Sequence, residues 1–440
     1  MEENATKKSS VTQASDDYSL ERVPEKELTG WLDITLTWTG FVIYPGGILF
    51  GFVLANAFTF WQAIALLLLG SLSVSLVACF MGYIGKRERV GYALSTRIGF
   101  GYRGSAVPSF LMFFTNVGWC SVNLVSLVAF FGDIPNWLKV IAIVGFCVLF
   151  TLTSRRGMNR GLKLFARLAV PLLIVVCIIV VIIAPRHGGG WSAVTSWVPP
   201  QLGTITLGAG FAMALGSWIS GSMMAGDVTR FARDTKGVII GSFGSFIVGF
   251  LGLGFVGIIL GVCTGSAEIA PAFNAIGIGW LAFVSILLCV WTTLQTQIYS
   301  TSLALANVLH KSRIFCENIS AVCIMVVASG MTILAGLENS FISIITLFGI
   351  IVPPVPGIII VEYFLVRKMK TPLNINDFAK FNYRGLISYA ICILVYVVLY
   401  IMNVESWFFQ TPLFAAIVHV IVSYKILFGK GTVVDNVTTP

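Results

Sequence analysis

Charge is scarce in this sequence. Only 11% of its 440 residues are Asp, Glu, Lys or Arg, and histidine occurs three times, whereas a soluble domain carries about 25% charged residues. Such a chain cannot cover itself with a water-facing surface, which excludes an ordinary soluble fold. Also missing are HExxH, GxSxG, a phosphate-cradling Walker loop and CxxC, so nothing in the sequence supports an enzyme. The nine cysteines are odd in number, and nearly all lie in apolar runs, Cys79, Cys147, Cys177 and Cys392 among them. They form neither a disulfide framework nor a metal-ligand spacing, and no cofactor is expected. Residues 1–28 lack the apolar core of roughly 7–15 residues that marks a cleavable signal peptide, and read as a soluble tail.

What is abundant is apolar length. Hydrophobic residues make up 57% of the chain, and uninterrupted stretches recur that reach the roughly 20 residues needed to cross a bilayer core. The reading is all-α: a polytopic membrane protein with twelve transmembrane helices. They fall at 30–57, 59–84, 106–131, 137–154, 164–184, 203–225, 238–263, 276–306, 314–336, 340–365, 386–402 and 405–428. Three regions follow, a cytoplasmic N-terminal tail (1–28), a twelve-helix membrane domain (29–428) and a cytoplasmic C-terminal tail (429–440).

The loops alternate in basic charge. One set holds Lys86, Arg87, Arg89, Arg97 and Arg103, then Arg155, Arg156, Arg160 and Lys163, then Arg230, Arg233 and Lys236, then Lys311 and Arg313, then Arg367, Lys368, Lys370, Lys380 and Arg384. The other set holds only Lys139 and Arg186 of the 28 Lys and Arg. The positive-inside rule puts the first set and both termini in the cytoplasm, in a cytoplasmic (inner) membrane. The net charge of +9 is thereby loop charge, and no contiguous basic face marks a nucleic-acid partner. The lipid bilayer is the expected macroscopic partner.

Two spans are interrupted in a matching way. The first reads "TWTGFVIYPGG", and the sixth reads "GAGFAMALGSWISGSMMAGD", with Gly216 and Gly221 around Ser217 and Trp218. Glycine and proline inside a membrane helix free backbone groups that lipid cannot satisfy, so such backbone lines protein or water. A pair of interrupted segments five spans apart points to a five-plus-five inverted repeat with discontinuous helices 1 and 6 and a site at the midplane. Glycine used only for helix packing is the plainer alternative.

The third and eighth spans, counterparts in such a repeat, are unusually polar at their middles. "FFTNVGWCSVN" places Asn116, Trp119 and Asn123 on one helical stripe. "CVWTTLQTQIYS" carries Thr292, Thr293, Gln295, Thr296 and Gln297. Taken singly, each carboxamide is equally well explained by interhelical hydrogen bonding; the cluster points to a ligand site. Trp119 and Trp218 fall inside their spans, unlike Trp61, Trp137, Trp191 and Trp407 near span ends. Two indoles make a slot for a flat ring, with amides and Ser217 or Ser220 reading its edge. The middles of these spans contain no ionisable side chain, and a proton relay normally needs one. Backbone carbonyls and threonine hydroxyls suffice for a monovalent cation, which favours sodium over proton. Asp33 and Glu362, near span ends, read as solvated interfacial carboxylates. "GDVTRFARD" reads as a helix end with a solvated ion pair or, alternatively, as a gating or loop-fixing segment.

Several segments together resemble the nucleobase:cation symporter-1 family, specifically cytosine permeases and related purine-cytosine permeases. They are "ERVPEKELTGW", "YPGG", "GYIG", "RIGFGYRGSAVPS", "NVGW", "GSWISG", "GDVTRFAR", "WTT", "LALAN" and "VPPVPGIIIVEYF", in order along nearly the whole chain. The resemblance implies secondary active import of a nucleobase or related flat nitrogen heterocycle, commonly with sodium. It implies Asn116 where cytosine permeases have Gln, Trp119 as one stacking face, and Trp218 as the other, where they have Phe and hydantoin transporters have Trp. Ser217 and Ser220 match polar positions of the sixth span, with Gln295 and Gln297 following "WTT". It maps sodium onto the carbonyls of Thr35, Trp38 and Cys289 and the hydroxyls of Thr292 and Thr293. Hydantoin, allantoin or a thiamine-related pyrimidine, with proton coupling, is the alternative cargo. A non-transporting nutrient sensor and a passive channel are alternatives of other classes.

The charge alternation generates a test. Single cysteines introduced at Arg87, Arg233 or Lys368 should resist a membrane-impermeant thiol reagent added outside intact cells, while cysteines at Gly188 to Gly190 should react. Labelling at Arg233 from outside would invert the topology.

Overall fold

The computed structural model describes Tyr18 and residues 21–155, 162–335, 337–369, 373, 378–402 and 404–424. Arg156, Arg160, Lys370 and most of the two tails lie outside the described residues. Among the described residues the fold is helical, with a single isolated β-bridge between Thr29 and Ala232. The principal elements are α1 (Trp31–Val42), α2 (Pro45–Ala57), α3 (Phe60–Glu88), α4 (Tyr92–Phe100), α5 (Ala106–Val128), α6 (Asn136–Ser154), α7 (Leu162–His187), α8 (Leu207–Met223) and α9 (Ala225–Thr229). They continue with α10 (Thr235–Phe246), α11 (Gly252–Thr264), α12 (Gly279–Leu309), α13 (Arg313–Gly330), α14 (Leu337–Ile351), α15 (Pro354–Val361), α16 (Tyr383–Ile401) and α17 (Pro412–Val422). Three of the joins, α10 to α11, α13 to α14 and α15 to α16, contain π-helical turns.

Nine helical stretches among the described residues are long and apolar enough to cross a membrane, and the bent pair α1–α2 makes a tenth. The remaining two expected spans correspond to α8, with 17 residues, and α17, with 11. The bend between α1 and α2 is 53°. Pro45 causes it: proline has no N–H to continue α1 but is well suited to the first turn of a new helix, and Tyr44 adopts an extended conformation in front of it. In the sixth span the interruption differs from expectation. The helix runs unbroken through Gly216 and Gly221, and the break falls at Met224, between α8 and α9. Gly216 serves packing instead, since a Cβ there would overlap the Ile345 carbonyl oxygen of α14.

Helix contacts repeat between the two halves. The first span packs on α10–α11 and α7; its counterpart α8 packs on α3 and α14. α5 and α12 pack on each other, α12 also on α7 and α5 also on α14. This reciprocity is what an inverted repeat requires. It puts the first, third, sixth and eighth spans at the centre, while α6, α7, α13 and α16 turn apolar faces outward, as at Ile141, Ile178, Val326 and Leu394. Between α2 and α11 the backbones touch, Gly51 against Gly254 and Gly257 against Ile48. Packing without side chains in between is a common membrane solution, because close approach supplies the dispersion contact that lipid would otherwise provide.

The basic loops meet at one end. Tyr102 and Arg103 donate backbone N–H groups to the carbonyls of Ala379 and Lys380, Arg87 reaches the Met369 carbonyl, and Arg155 reaches Asn318. The N-terminal segment joins them: Thr29 N–H donates to Phe231 O at 2.8 Å and Arg233 N–H returns to Thr29 O at 3.0 Å. Asp33 is partly exposed beside Arg167 at 3.5 Å. Glu362 is not the solvated carboxylate expected, for it is fully buried among basic side chains.

The glycine seam is testable. Gly257→Val should prevent α2 and α11 from closing, because the new Cβ would overlap the Ile48 carbonyl, which cannot move away as a side chain could. The expected outcome is loss of monodisperse protein on size-exclusion chromatography, with Gly244→Ala, at an open position on α10, as the comparison variant.

Candidate substrate and cation site

The centre of the molecule holds a small cavity of about 10 Å³, closed down to roughly the room of one water, lined by Tyr44, Trp119, Ser217, Trp218, Ser220, Gly221 and Gln297. Five of these, Trp119, Ser217, Trp218, Ser220 and Gln297, were singled out from the sequence. Tyr44 was not, although it stands in the quoted "YPGG"; its ring is central. It packs edge-on against Trp218 at 4.7 Å between centroids and against Trp119 at 5.7 Å, so the two indoles flank the tyrosine. The Tyr44 hydroxyl donates to the Ser217 carbonyl at 3.1 Å, tying the bend of the first span to α8.

Local sequence explains how these rings fit. A Cβ on Gly221 would overlap the Trp218 ring, and one on Gly46 would overlap the Tyr44 ring. Each glycine is the flat floor over which a neighbouring aromatic folds. Trp218 is further boxed by Phe41 and Phe246, each edge-on at 5.3 Å. Its indole nitrogen is buried without a hydrogen-bond partner. Trp119 is held by Phe341 and Phe348 at 5.9 and 6.0 Å. Phe341 also lines an outer cleft with Leu49, Phe52, Asn56, Gln201 and Ile205, and so stands between that cleft and the indole wall of the cavity.

The carboxamides divide. Gln297 lines the cavity, and its Oε1 accepts from Asn123 Nδ2 and from the Cys120 thiol, each at 3.3 Å. That fixes the amide with its NH2 group left to donate to a ligand. Asn116 points elsewhere: its Nδ2 meets the Met224 sulfur at 3.5 Å, at the break between α8 and α9. It sits one turn from Trp119 but outside the cavity lining. Gln295 is also outside it, buried with neither amide atom partnered. On a helix, residues two apart point about 200° apart, which separates Gln295 from Gln297. Ser217 keeps its hydroxyl on the Met213 carbonyl at 2.9 Å, so it meets the cavity chiefly as backbone and hydroxyl lone pairs.

Beside the cavity, oxygen atoms converge. Thr293 Oγ1 lies 2.9 Å from Ile43 O and 3.2 Å from Phe41 O, and Thr292 Oγ1 lies 2.9 Å from Cys289 O. The carbonyls of Thr35 and Trp38, expected here, are not part of this cluster. They belong to the interior of α1, where i+4 amides engage them, and the Thr35 hydroxyl bonds back to Trp31 O. The carbonyls that a helix leaves free are its last ones, and α1 ends at Val42. The bend therefore shifts the available oxygens about five residues on, to Phe41 and Ile43. An uncharged, all-oxygen donor set at the end of a broken helix is the chemistry that a hard monovalent cation requires.

On the basic side, "GDVTRFARD" begins just after the break at Met224. Asp227 accepts from the Tyr92 backbone N–H at 2.7 Å, and Arg230 is fully buried, bonding Tyr299 Oη at 2.5 Å and the Tyr18 carbonyl at 2.9 Å. Burial pushes the Asp227 carboxyl up from its usual range, partly opposed by Arg230. The segment is thus loop-fixing and not a solvated helix end.

Comparison with known proteins gives this geometry a context. Residues 22–427 match the family described as permease for cytosine/purines, uracil, thiamine, allantoin. The cytosine permease of Escherichia coli (strain K12) is 26% identical over 351 residues, spanning 80% of this chain and 82% of that protein. A purine-uracil permease of Arabidopsis thaliana is 24% identical, spanning 80% and 64%. The fold is shared with Mhp1, a nucleobase-cation-symport-1 family transporter solved in a closed conformation with bromovinylhydantoin bound. The TM-score is 0.77 at 18% identity, covering 94% of this chain and 97% of that one. A Na+-coupled sialic acid symporter shares it too, at TM-score 0.64 and 16% identity over 93% and 91%. A match over nearly the whole chain, on a helical membrane fold with a central cavity, leads to one conclusion: this protein is a transporter, not an enzyme, and belongs to the nucleobase:cation symporter-1 family of permeases for cytosine, purines and related compounds.

Proposed function

We propose that this transporter imports a nucleobase of the cytosine or purine type, or a closely related flat nitrogen heterocycle, together with sodium. The observation that carries the reading is the cavity itself, where Trp119, Trp218 and Tyr44 enclose a narrow space and the oriented Gln297 amide offers its donors. Flat rings are held by aromatic faces, and their identity is read by hydrogen bonds at the edge. Trp119 and Trp218 supply the faces, and Gln297 and Ser220 the edge contacts. Asn116 acts one turn below, at the Met224 break.

Sodium would sit among the carbonyls of Phe41, Ile43 and Cys289 and the hydroxyls of Thr292 and Thr293. Binding there joins the end of α1 to α12, so the ion and the ring stabilise the same arrangement of helices. A ligand shifts such an equilibrium only through its differential contacts with the two states. Here the differential contact is the broken end of α1, which no other cation on the chain approaches among the described contacts. Both termini face the cytoplasm in this scheme.

Two variants test it. Thr293→Ala should remove the sodium dependence of radiolabelled cytosine, adenine or hypoxanthine uptake in proteoliposomes while the protein stays folded, at a lowered melting temperature because the Phe41 and Ile43 carbonyls lose their shared donor. Uptake that ignores a sodium gradient but follows a proton gradient would refute the ion assignment. Stacking on an aromatic is worth about 1–3 kcal/mol per base. Trp119→Ala should therefore weaken nucleobase binding about 5- to 150-fold, and Trp119→Phe should retain part of the affinity. Unchanged affinity in a stable Trp119→Ala protein would reduce this indole to a packing role.

A further inference from the structure

Beyond the central cavity, at the end away from the basic loops, the outer cleft encloses about 220 Å³, against about 10 Å³ in the cavity itself. A pocket for a drug-sized ligand takes roughly 300–1,000 Å³, and a single heterocycle needs less. One helix builds much of the wall. Leu49, Phe52, Val53 and Asn56 recur at i, i+3, i+4 and i+7, which puts them on one face of α2. Tyr44, the residue just before that helix, lines the central cavity, so cavity and cleft follow each other along one segment. Phe341 is the partition between them: it lines the cleft and packs on Trp119 at 5.9 Å between centroids.

The polar groups of the cleft are placed by the end of α2. Its last carbonyls have no helical partner, and the segment before α8 satisfies them. Trp197 Nε1 donates to Ala55 O at 2.9 Å, and the Gln201 N–H donates to Asn56 O at 3.0 Å. That backbone bond sets the Asn56 and Gln201 carboxamides beside each other at the cleft wall. Neither side chain is engaged in a hydrogen bond among the described residues. A carboxamide both donates and accepts, so the pair suits a ring edge that carries groups of both kinds. None of the lining side chains is ionisable. Acidic groups stand beside the cleft: Glu268 follows Ala267 of the lining, and Glu405 accepts from the Thr206 hydroxyl, next to Ile205, at 2.6 Å. Their charge disfavours an anionic occupant.

Given the reading of the cargo as a flat nitrogen heterocycle, on which this rests, we propose that the outer cleft is a second binding site for the neutral ring, held against Phe52 and Phe341 with its edge on Asn56 and Gln201. The cavity behind Phe341 has room for about one water. A ring arriving from this end therefore meets the cleft first, and stays there until Tyr44 and the indoles part. Cargo is then read twice. Two carboxamides at an open site test its edge before the aromatic slot tests its faces. The two sites share Phe341 as a wall but no polar residue, so each can be altered without removing the hydrogen-bonding groups of the other.

Ile205→Cys puts a thiol in the cleft lining without removing a carboxamide. In the full-length protein in lipid nanodiscs, a charged maleimide should modify that position, read by mass spectrometry of its peptide apart from the nine native cysteines. Cytosine, adenine or hypoxanthine should slow the modification several-fold. The half-protecting concentration should be unchanged when Trp218→Ala, on a cavity wall that Phe341 does not form, is added. Adding Asn56→Leu or Gln201→Leu should raise it about 2- to 12-fold each, the worth of one net hydrogen bond. Val53→Cys repeats the measurement should Ile205→Cys not fold. No protection by a probe that the wild-type transporter takes up overturns the second site and leaves the cargo reading standing. Protection that disappears with Trp218→Ala also overturns it, because the thiol then reports closure around the cavity. Uptake of none of the three probes by wild-type proteoliposomes removes the nucleobase reading, and the second site with it.

Discussion

The molecule is organised around a backbone that stops being a helix inside a membrane. Where α1 ends and Pro45 begins a new helix, carbonyl groups lose their intrahelical partners in a medium with no water to replace them. Each unsatisfied group costs several kcal/mol there, so the sequence must provide donors or a cation. The Thr293 hydroxyl on α12 lies within reach of two of these carbonyls and shares its one proton between them, and the Tyr44 hydroxyl reaches across to α8. The first, sixth and eighth spans are thereby held together by the repair of one break. The candidate cation site and the aromatic cavity lie on either side of it. The proposed ring site and the candidate ion site are neighbours because they share one interrupted segment.

That dependence explains the arrangement of the rest. The two helices that carry the cavity's amides and indole, α5 and α12, pack directly on each other, which lets Asn123 orient Gln297 from behind. α6, α7, α13 and α16 carry outward apolar faces and contribute no side chain to the cavity lining. The buried charge lies at the end where the basic loops meet, and most of it is paired there: Asp227 with Arg230, Glu88 with Arg22, Glu317 with Arg313, and Glu362 with its three partners. Buried pairs of this kind add little net stability but are costly to break singly. Their value is to specify how the helix ends meet.

Most of the fold was legible in the sequence because hydropathy and basic-loop alternation are strong, additive signals. The places where the reading failed have a common cause. The register of a helix break, invisible to composition, decides which carbonyls a helix leaves free, and those nearest the Thr293 hydroxyl are Phe41 and Ile43, beyond the Thr35 and Trp38 read from the sequence. The glycines of the sixth span looked like breakers, but Gly216 admits α14 and Gly221 admits an indole, while the break itself falls at Met224. Tyr44 was passed over because tyrosine before proline carries no signal of its own; its neighbour Gly46, which leaves room for the ring, was the available clue. Glu362 looked solvated because it stands near a span end, yet its partners come from positions 22 and 57 residues further along the chain. Local periodicity does not report contacts at that distance.

The two flat floors under the cavity aromatics bear on how such a site could diversify. Trp218 and Tyr44 occupy their places because Gly221 and Gly46 carry no side chain. The shape of the proposed recognition surface is therefore encoded partly at positions that offer cargo no side chain, Gly46 outside the cavity lining and Gly221 within it. A lineage could retune the aperture by exchanging one methyl group on a helix backbone, tilting an indole while every cargo-facing residue stays the same. Homologues with identical aromatic and amide positions could then differ in diet, and comparing only the residues that face the cavity would miss the cause.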